Sequence, residues 1–159
     1  DARIVIVGGT TGSSYGAICP KGEWKDRFLA EIEGQYNPSQ VHFTGHLPYE
    51  QFIPLLQLSA CHVYLTYPFV LSWSLLEAMS TGCSVVASDT QPVHEVIKNN
   101  ETGRLFDFFD PSALAGSVTG LLEDDTGRMR LGESAREFVV KNYDLTRICL
   151  PKQIEWLLS

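Results

Sequence analysis

The chain has 159 residues, 44% of them hydrophobic and 11% aromatic, which suits one globular domain with a sizeable core. Its formal net charge of −7 speaks against a nucleic-acid partner or a general surface for anionic membrane, since such surfaces carry a surplus of Lys and Arg. No apolar run approaches the ~20 residues that span a bilayer, so no membrane contact by this domain is expected.

The four cysteines, Cys19, Cys61, Cys83 and Cys149, are scattered and form no Cys-x-x-Cys pair. They read as reduced and structural, which suits the cytoplasm. The chain opens directly on an apolar strand, DARIVIVGG, rather than on a signal peptide, as an excised fragment would.

Residues 3–7 are a β-branched run ending in Gly8-Gly9, the form of a central strand buried on both faces that feeds a glycine turn. Residues 10–23, TTGSSYGAICPKGE, make a loop of unusual length, either functional or disordered. Ser14 and Tyr15 in it would close over a ligand or simply lie on the surface. Trp24, Phe28, Ile32 and Tyr36 recur every four residues, which predicts an amphipathic helix with those rings in the core. A second strand, VHFT at 41–44, closes on Gly45, His46, Leu47 and Pro48 at its carboxyl end, the edge where open α/β sheets bind ligands. In the helical stretch that follows, Pro54 must lie in the first turn or mark a break. HVYLT at 62–66 is the third strand.

Residues 69–88, FVLSWSLLEAMSTGCSVVAS, order an apolar entry, two serines flanking a tryptophan, a helical run, a Thr-Gly stop and a strand. Together with the strand before it this is a βαβ unit, with Ser72, Trp73 and Ser74 at a helix N-terminus. Backbone N–H groups there lack helical partners and the dipole is positive, which suits a phosphate. Glu77 lies little more than a turn further on, within reach of sugar hydroxyls. Ser74 and Glu77 equally fit a Ser-x-x-Glu capping box, which needs no ligand. Trp73 either shields a diphosphate or packs under the sheet; packing is favoured, because tryptophan is usually largely buried.

Beyond Ser88, Asp89-Thr90-Gln91-Pro92 is a turn, and VHEVI a helix with Pro92 at its first position and Glu95 favouring its dipole. Residues 99–103 form another turn and 104–106 a short strand. Asp110-Pro111 caps a helix with Leu114, Val118, Leu121 and Leu122 inward. A further helix spans about residues 128–141 by its apolar spacing, with Leu131, Ala135, Phe138 and Val139 facing inward. The last helix, from Asp144, should kink or break at Pro151. The alternation predicts an α/β fold: a Rossmann-like three-layer parallel sheet of about five or six strands with helices on both faces. His42, His46, His62 and His94 lack zinc-ligand spacing, so neither a metal nor another cofactor is expected; His94 is the one to watch. Gly8, Gly9 and Gly12 miss the dinucleotide spacing Gly-x-Gly-x-x-Gly.

Residues 63–89, VYLTYPFVLSWSLLEAMSTGCSVVASD, with VHFTGHLPYEQF before and PVHEVIKNNETGRLFDFFDP after, resemble the C-terminal half of a family 4 retaining glycosyltransferase of the GT-B fold. The likeness runs from Arg3 to about Tyr143 in several ordered blocks. It implies a single donor domain over residues 1–159, a fragment without the N-terminal acceptor domain and the first strand region of this half. It also implies a nucleotide-sugar donor, no metal, and a sugar or lipid-linked acceptor on the missing domain, which could place the full protein peripherally at a membrane. By resemblance, Glu77 matches the glutamate that binds the donor ribose, and Ser72, Trp73, Ser74 and Leu75 match the segment whose amides hold the diphosphate. Gly45, His46 and Leu47 match the segment that reads the base, and Gly8 and Gly9 line the same cleft.

Two departures stand out. Where the family commonly has a second glutamate that contacts the donor sugar, this chain has Phe69, and Ser72-Trp73-Ser74 replaces a glycine-rich turn. The family's basic pair that neutralises the diphosphate would precede the first strand of this chain. A hexosyl transfer with retention is therefore expected only of a longer chain, with this fragment inactive alone. A nucleotide-sugar epimerase and a catalytically degenerate binding module are the alternatives.

Overall fold

The computed structural model describes residues 2–10, 17–67 and 69–159. Gly12, Ser14 and Tyr15 lie outside the described residues, and with them the expectation of a loop closing over a ligand. The chain divides into two compact units, Asp1–Phe52 and Ile53–Ser159.

The first unit holds β1 (Ile4–Val7), α1 (Trp24–Glu31), a 3-10 turn at Pro38–Gln40 and β2 (Val41–Gly45). β1 and β2 pair in parallel, with a register shift between Ile6 and Val7 that leaves Val7 opposite Gly45. The expectation that β1 is a buried, central strand is corrected here: all four of its residues are exposed. Among the described residues it has one hydrogen-bonded neighbour, and β-branched composition cannot supply a covering layer. The predicted aromatic stripe is also shorter than its period suggested. α1 ends at Glu31, so Ile32 and Tyr36 fall outside it, and no residue of α1 is buried. Trp24 and Phe28 stack on each other instead, with ring centroids 5.5 Å apart.

α2 (Tyr49–Leu58) runs through the boundary at Phe52 and carries Pro54 in its interior. Pro54 neither sits in the first turn nor breaks the helix. The Phe52 N–H already bonds the Pro48 carbonyl (3.0 Å) and the Ser59 N–H bonds that of Leu55 (3.0 Å), so the ladder holds on both sides of the proline.

The second unit holds β3 (His62–Tyr64), α3 (Trp73–Ser80), β4 (Val85–Ser88), β5 (Arg104–Phe106), α4 (Pro111–Glu123), α5 (Asp125–Tyr143) and α6 (Leu150–Leu158). Its three strands are parallel in the order β3-β4-β5. β4, in the middle, is buried at every residue, as a strand covered on both faces should be. Val86 of β4 packs with Phe106 of β5, Leu121 of α4 and Leu131 of α5, with Cys61, Leu114 and Val118 at the margin. α3 buries Leu75, Ala78 and Met79, and α5 closes on its far end. There Gly132 abuts the Gly82 carbonyl oxygen, and the Arg136 guanidinium donates to the Ser80 carbonyl, a cation at a helix C-terminus.

Three predicted elements differ. VHEVI is a single 3-10 turn, Val93–Glu95, so Glu95 has no helix dipole to favour. α5 begins at Asp125 rather than near 128, because Asp124 caps it by accepting the Gly127 N–H (2.8 Å). Pro151 does not interrupt a helix: a π turn at Leu145–Cys149 precedes α6, and the proline stands in the first turn of α6, where no N–H is needed. Among the described residues no helix is long and apolar enough to cross a membrane.

Candidate functional site

The predicted site residues of the first unit gather at the carboxyl edge of β1 and β2. The Gly8 N–H donates to the Gly45 carbonyl at 2.9 Å, and the two glycines have φ of +140° and +68°, values that L side chains rarely adopt. The His46 ring lies where a Cβ on Gly9 would stand, so a side chain at position 9 would turn the imidazole aside. Leu47 is half-buried beside them.

In the second unit the start of α3 is built from its cap. Ser72 is the N-cap: its Oγ accepts the Ser74 N–H (3.3 Å) and bonds the Ser74 hydroxyl (2.9 Å). The Ser72 N–H donates to the Tyr64 hydroxyl (3.2 Å), and the Leu75 N–H to the Ser72 carbonyl (3.2 Å). Of the four amides assigned to a diphosphate, three thus already have acceptors within the protein. The Trp73 N–H has none among the described residues, and its side chain is 84% exposed. Packing of Trp73 under the sheet is therefore corrected: as the first residue of α3, beside a solvent-facing cap, its ring points away from the core that Leu75 and Met79 fill.

Because Ser72 is the cap, the third helical position is Leu75, and a capping box would need a Glu or Gln there. Glu77 stands two residues beyond it. The reciprocal Ser74–Glu77 cap does not form, and the half-buried Glu77 carboxylate has no hydrogen-bond or ion-pair partner among the described residues. Phe69, at the family's second glutamate position, is 55% exposed.

The same sheet edge carries further polar groups. Thr66 N–H donates to Ser88 Oγ (3.0 Å) and Asp89 N–H to the Phe106 carbonyl (2.7 Å), which ties the exits of β3, β4 and β5 together. His94 Nε2 contacts an Asp89 carboxylate oxygen. Glu95 accepts the Tyr143 hydroxyl (2.8 Å), and burial, then that carboxylate, pushes the phenol up to about 12. Among the described residues no group of three or more His, Cys, Asp or Glu could hold a metal ion. Sequence reasoning missed the Tyr64 hydroxyl as the anchor of the cap; its alternate position in a strand hid it among core side chains.

Parallel strands alternating with helices, with a capped helix start at their carboxyl edge, define an α/β domain. Residues 1–138 match the Glycosyl transferases group 1 family, and the chain belongs to it. The chain is 37% identical over 137 residues to a D-inositol 3-phosphate glycosyltransferase of Corynebacterium glutamicum, covering 85% of this chain and 30% of that protein. It is 30% identical over 148 residues to an N-acetyl-alpha-D-glucosaminyl L-malate synthase of Bacillus anthracis, covering 93% and 35%. The crystal structure of Anabaena HepE in complex with UDP superposes over 99% of this chain and 40% of that one, with a TM-score of 0.81 at 19% identity. The fold is thus the Rossmann-like α/β fold of GT-B proteins. The chain spans about a third of the length of these curated relatives.

Proposed function

We propose that this chain is the donor-binding domain of a retaining glycosyltransferase that takes its sugar from a nucleoside diphosphate. The observation that carries this reading is Glu77. It is a half-buried carboxylate at the carboxyl edge of a parallel sheet, on a helix whose cap is complete without it. An acid that serves neither a cap nor an ion pair, beside a helix N-terminus with the Trp73 amide open, suits a ribose and its diphosphate. Transfer develops negative charge on the leaving phosphate, and amides fixed at the positive end of α3 stabilise that charge without reorganising. The turn at Gly45, His46 and Leu47 is assigned to the base, with Gly8 and Gly9 beside it. The acceptor, and any basic pair for the diphosphate, are assigned to a further domain, with transfer of hexosyl type. Uridine is the favoured base, since Anabaena HepE was solved with UDP and with UDP-glucose.

Calorimetric titration of the chain with UDP, GDP, ADP and NAD tests this reading. Saturable binding of one nucleoside diphosphate, with NAD silent, is expected; binding of NAD alone, or of none, overturns it. Phe69 in place of the family glutamate favours one second reading, a binding module that has lost its contact to the sugar. Sugar transfer by a longer protein carrying this chain would exclude that module.

A further inference from the structure

We infer that the aromatic triad Tyr67, Phe108 and Phe109 is a binding platform for the ring of a neutral saccharide. β3 and β5 are the outer strands of the three-stranded sheet and run parallel to β4 between them. Their exits therefore lie on one edge. Tyr67 follows β3, and Phe108 and Phe109 follow β5, yet the rings meet: Tyr67 lies 5.7 Å from Phe108 and 5.8 Å from Phe109, and the two phenylalanines are 5.1 Å apart, all edge to face. The triad thus bridges the mouth of β4.

The rings are held in place rather than left loose. An Asp107 carboxylate oxygen accepts the Phe109 N–H (2.9 Å), the Asp110 N–H bonds the Asp107 carbonyl (2.9 Å), and Asp110 caps α4 through the Ala113 N–H (2.9 Å). Even so, Tyr67 is 61% and Phe109 73% exposed. Large aromatic side chains contribute to a core by being buried, and these two are presented to solvent on an ordered turn instead.

The surrounding charge selects the ligand. Asp107 and Asp110 flank the rings in the chain, so this turn offers carboxylates and no cation, which disfavours an anionic lipid headgroup. A neutral pyranose offers an apolar C–H face to a ring and hydroxyl donors to carboxylates, so it satisfies both features at once. The choice of saccharide rests on the sugar-transfer reading above. The platform stands apart from the α3 helix start and adds a sugar subsite to the same sheet edge.

The test is an NMR titration of the chain with the methyl glycosides of glucose, mannose, galactose and N-acetylglucosamine, and separately with UDP. Expected are saturable shifts at residues 67 and 107–110 with at least one glycoside, about three- to tenfold weaker in Phe109→Ala. Tyr67→Phe, which keeps the ring, should retain binding, and both variants should bind UDP as the parent chain does. If no glycoside shifts these residues saturably, or Phe109→Ala binds equally well, the platform is overturned, whatever UDP does. Vesicles of phosphatidylglycerol that perturb the triad more than any glycoside would overturn it too. Glycoside binding without any nucleoside diphosphate binding would leave the platform standing and remove the donor-site reading.

Discussion

The Tyr64 hydroxyl, at the end of β3, accepts the backbone N–H of Ser72 at 3.2 Å, so a strand terminus holds the cap of the next helix. Tyr64 is itself buried, at 9% exposure. Tyr64→Phe keeps the packing and removes the acceptor, leaving a part-buried N–H unpaired. The expected loss is about 1 to 3 kcal/mol, measured as a fall in the urea midpoint at unchanged m-value.

Two glycine substitutions should act in opposite directions. A Cβ on Gly132 would overlap the backbone oxygen of Gly82, so Gly132→Ala must push α5 off the end of α3, at about 1 to 3 kcal/mol. Gly116, in α4, has open space around its Cβ position. Gly116→Ala should stabilise by about 0.5 to 1 kcal/mol through backbone entropy and helix propensity. Denaturant titration of both variants checks the signs.

His62 supplies a pH dependence. Its Nε2 is buried without a partner among the described residues, and burial lowers its pKa below the ordinary 6.5. As pH falls below 6.5 the unfolded chain takes up a proton that the folded chain refuses, so stability drops toward acid until the folded pKa is reached. Above 6.5 both states are neutral and the effect vanishes. The difference in unfolding free energy between the parent and His62→Gln should therefore shift against the parent between pH 7.5 and pH 5, and stay flat above 7.

Burial pushes the Cys61 thiol up to about 11 and, with Cys61 nearby, the Cys83 thiol up to about 12. At pH 8 the thiolate fraction of Cys61 is roughly one in a thousand, and it is the thiolate that reacts. Labelling with a disulfide reagent at pH 8 should therefore be far slower at Cys61 and Cys83 in the folded chain than after unfolding in urea. Peptide mapping of the labelled chain would show this.

The alternation of strands and helices was legible because apolar runs and turn residues mark it locally. VHFT, HVYLT, SVVAS and RLF all contain strands, and Asp110-Pro111 opens a helix as written. Burial was less legible, since it depends on neighbours distant in sequence: IVIV reads like VVAS, yet β1 is exposed and β4 is not. At the site, Glu77 was visible as a candidate, but two serines competed for the cap. Only the bond from the Ser74 N–H to Ser72 Oγ decided between them. The meeting of Tyr67 with Phe108 and Phe109 joins residues some forty apart, which no local pattern records.

The most direct measurement is calorimetric titration of the chain and of Glu77→Gln with UDP. The Glu77 carboxylate has no partner among the described residues, so the substitution should leave the melting temperature unchanged. UDP should bind the parent saturably and the variant about 1.5 to 3 kcal/mol more weakly, the worth of a lost charged hydrogen bond. Equal affinity in both, or a variant that melts lower without losing affinity, would contradict a donor ribose at Glu77.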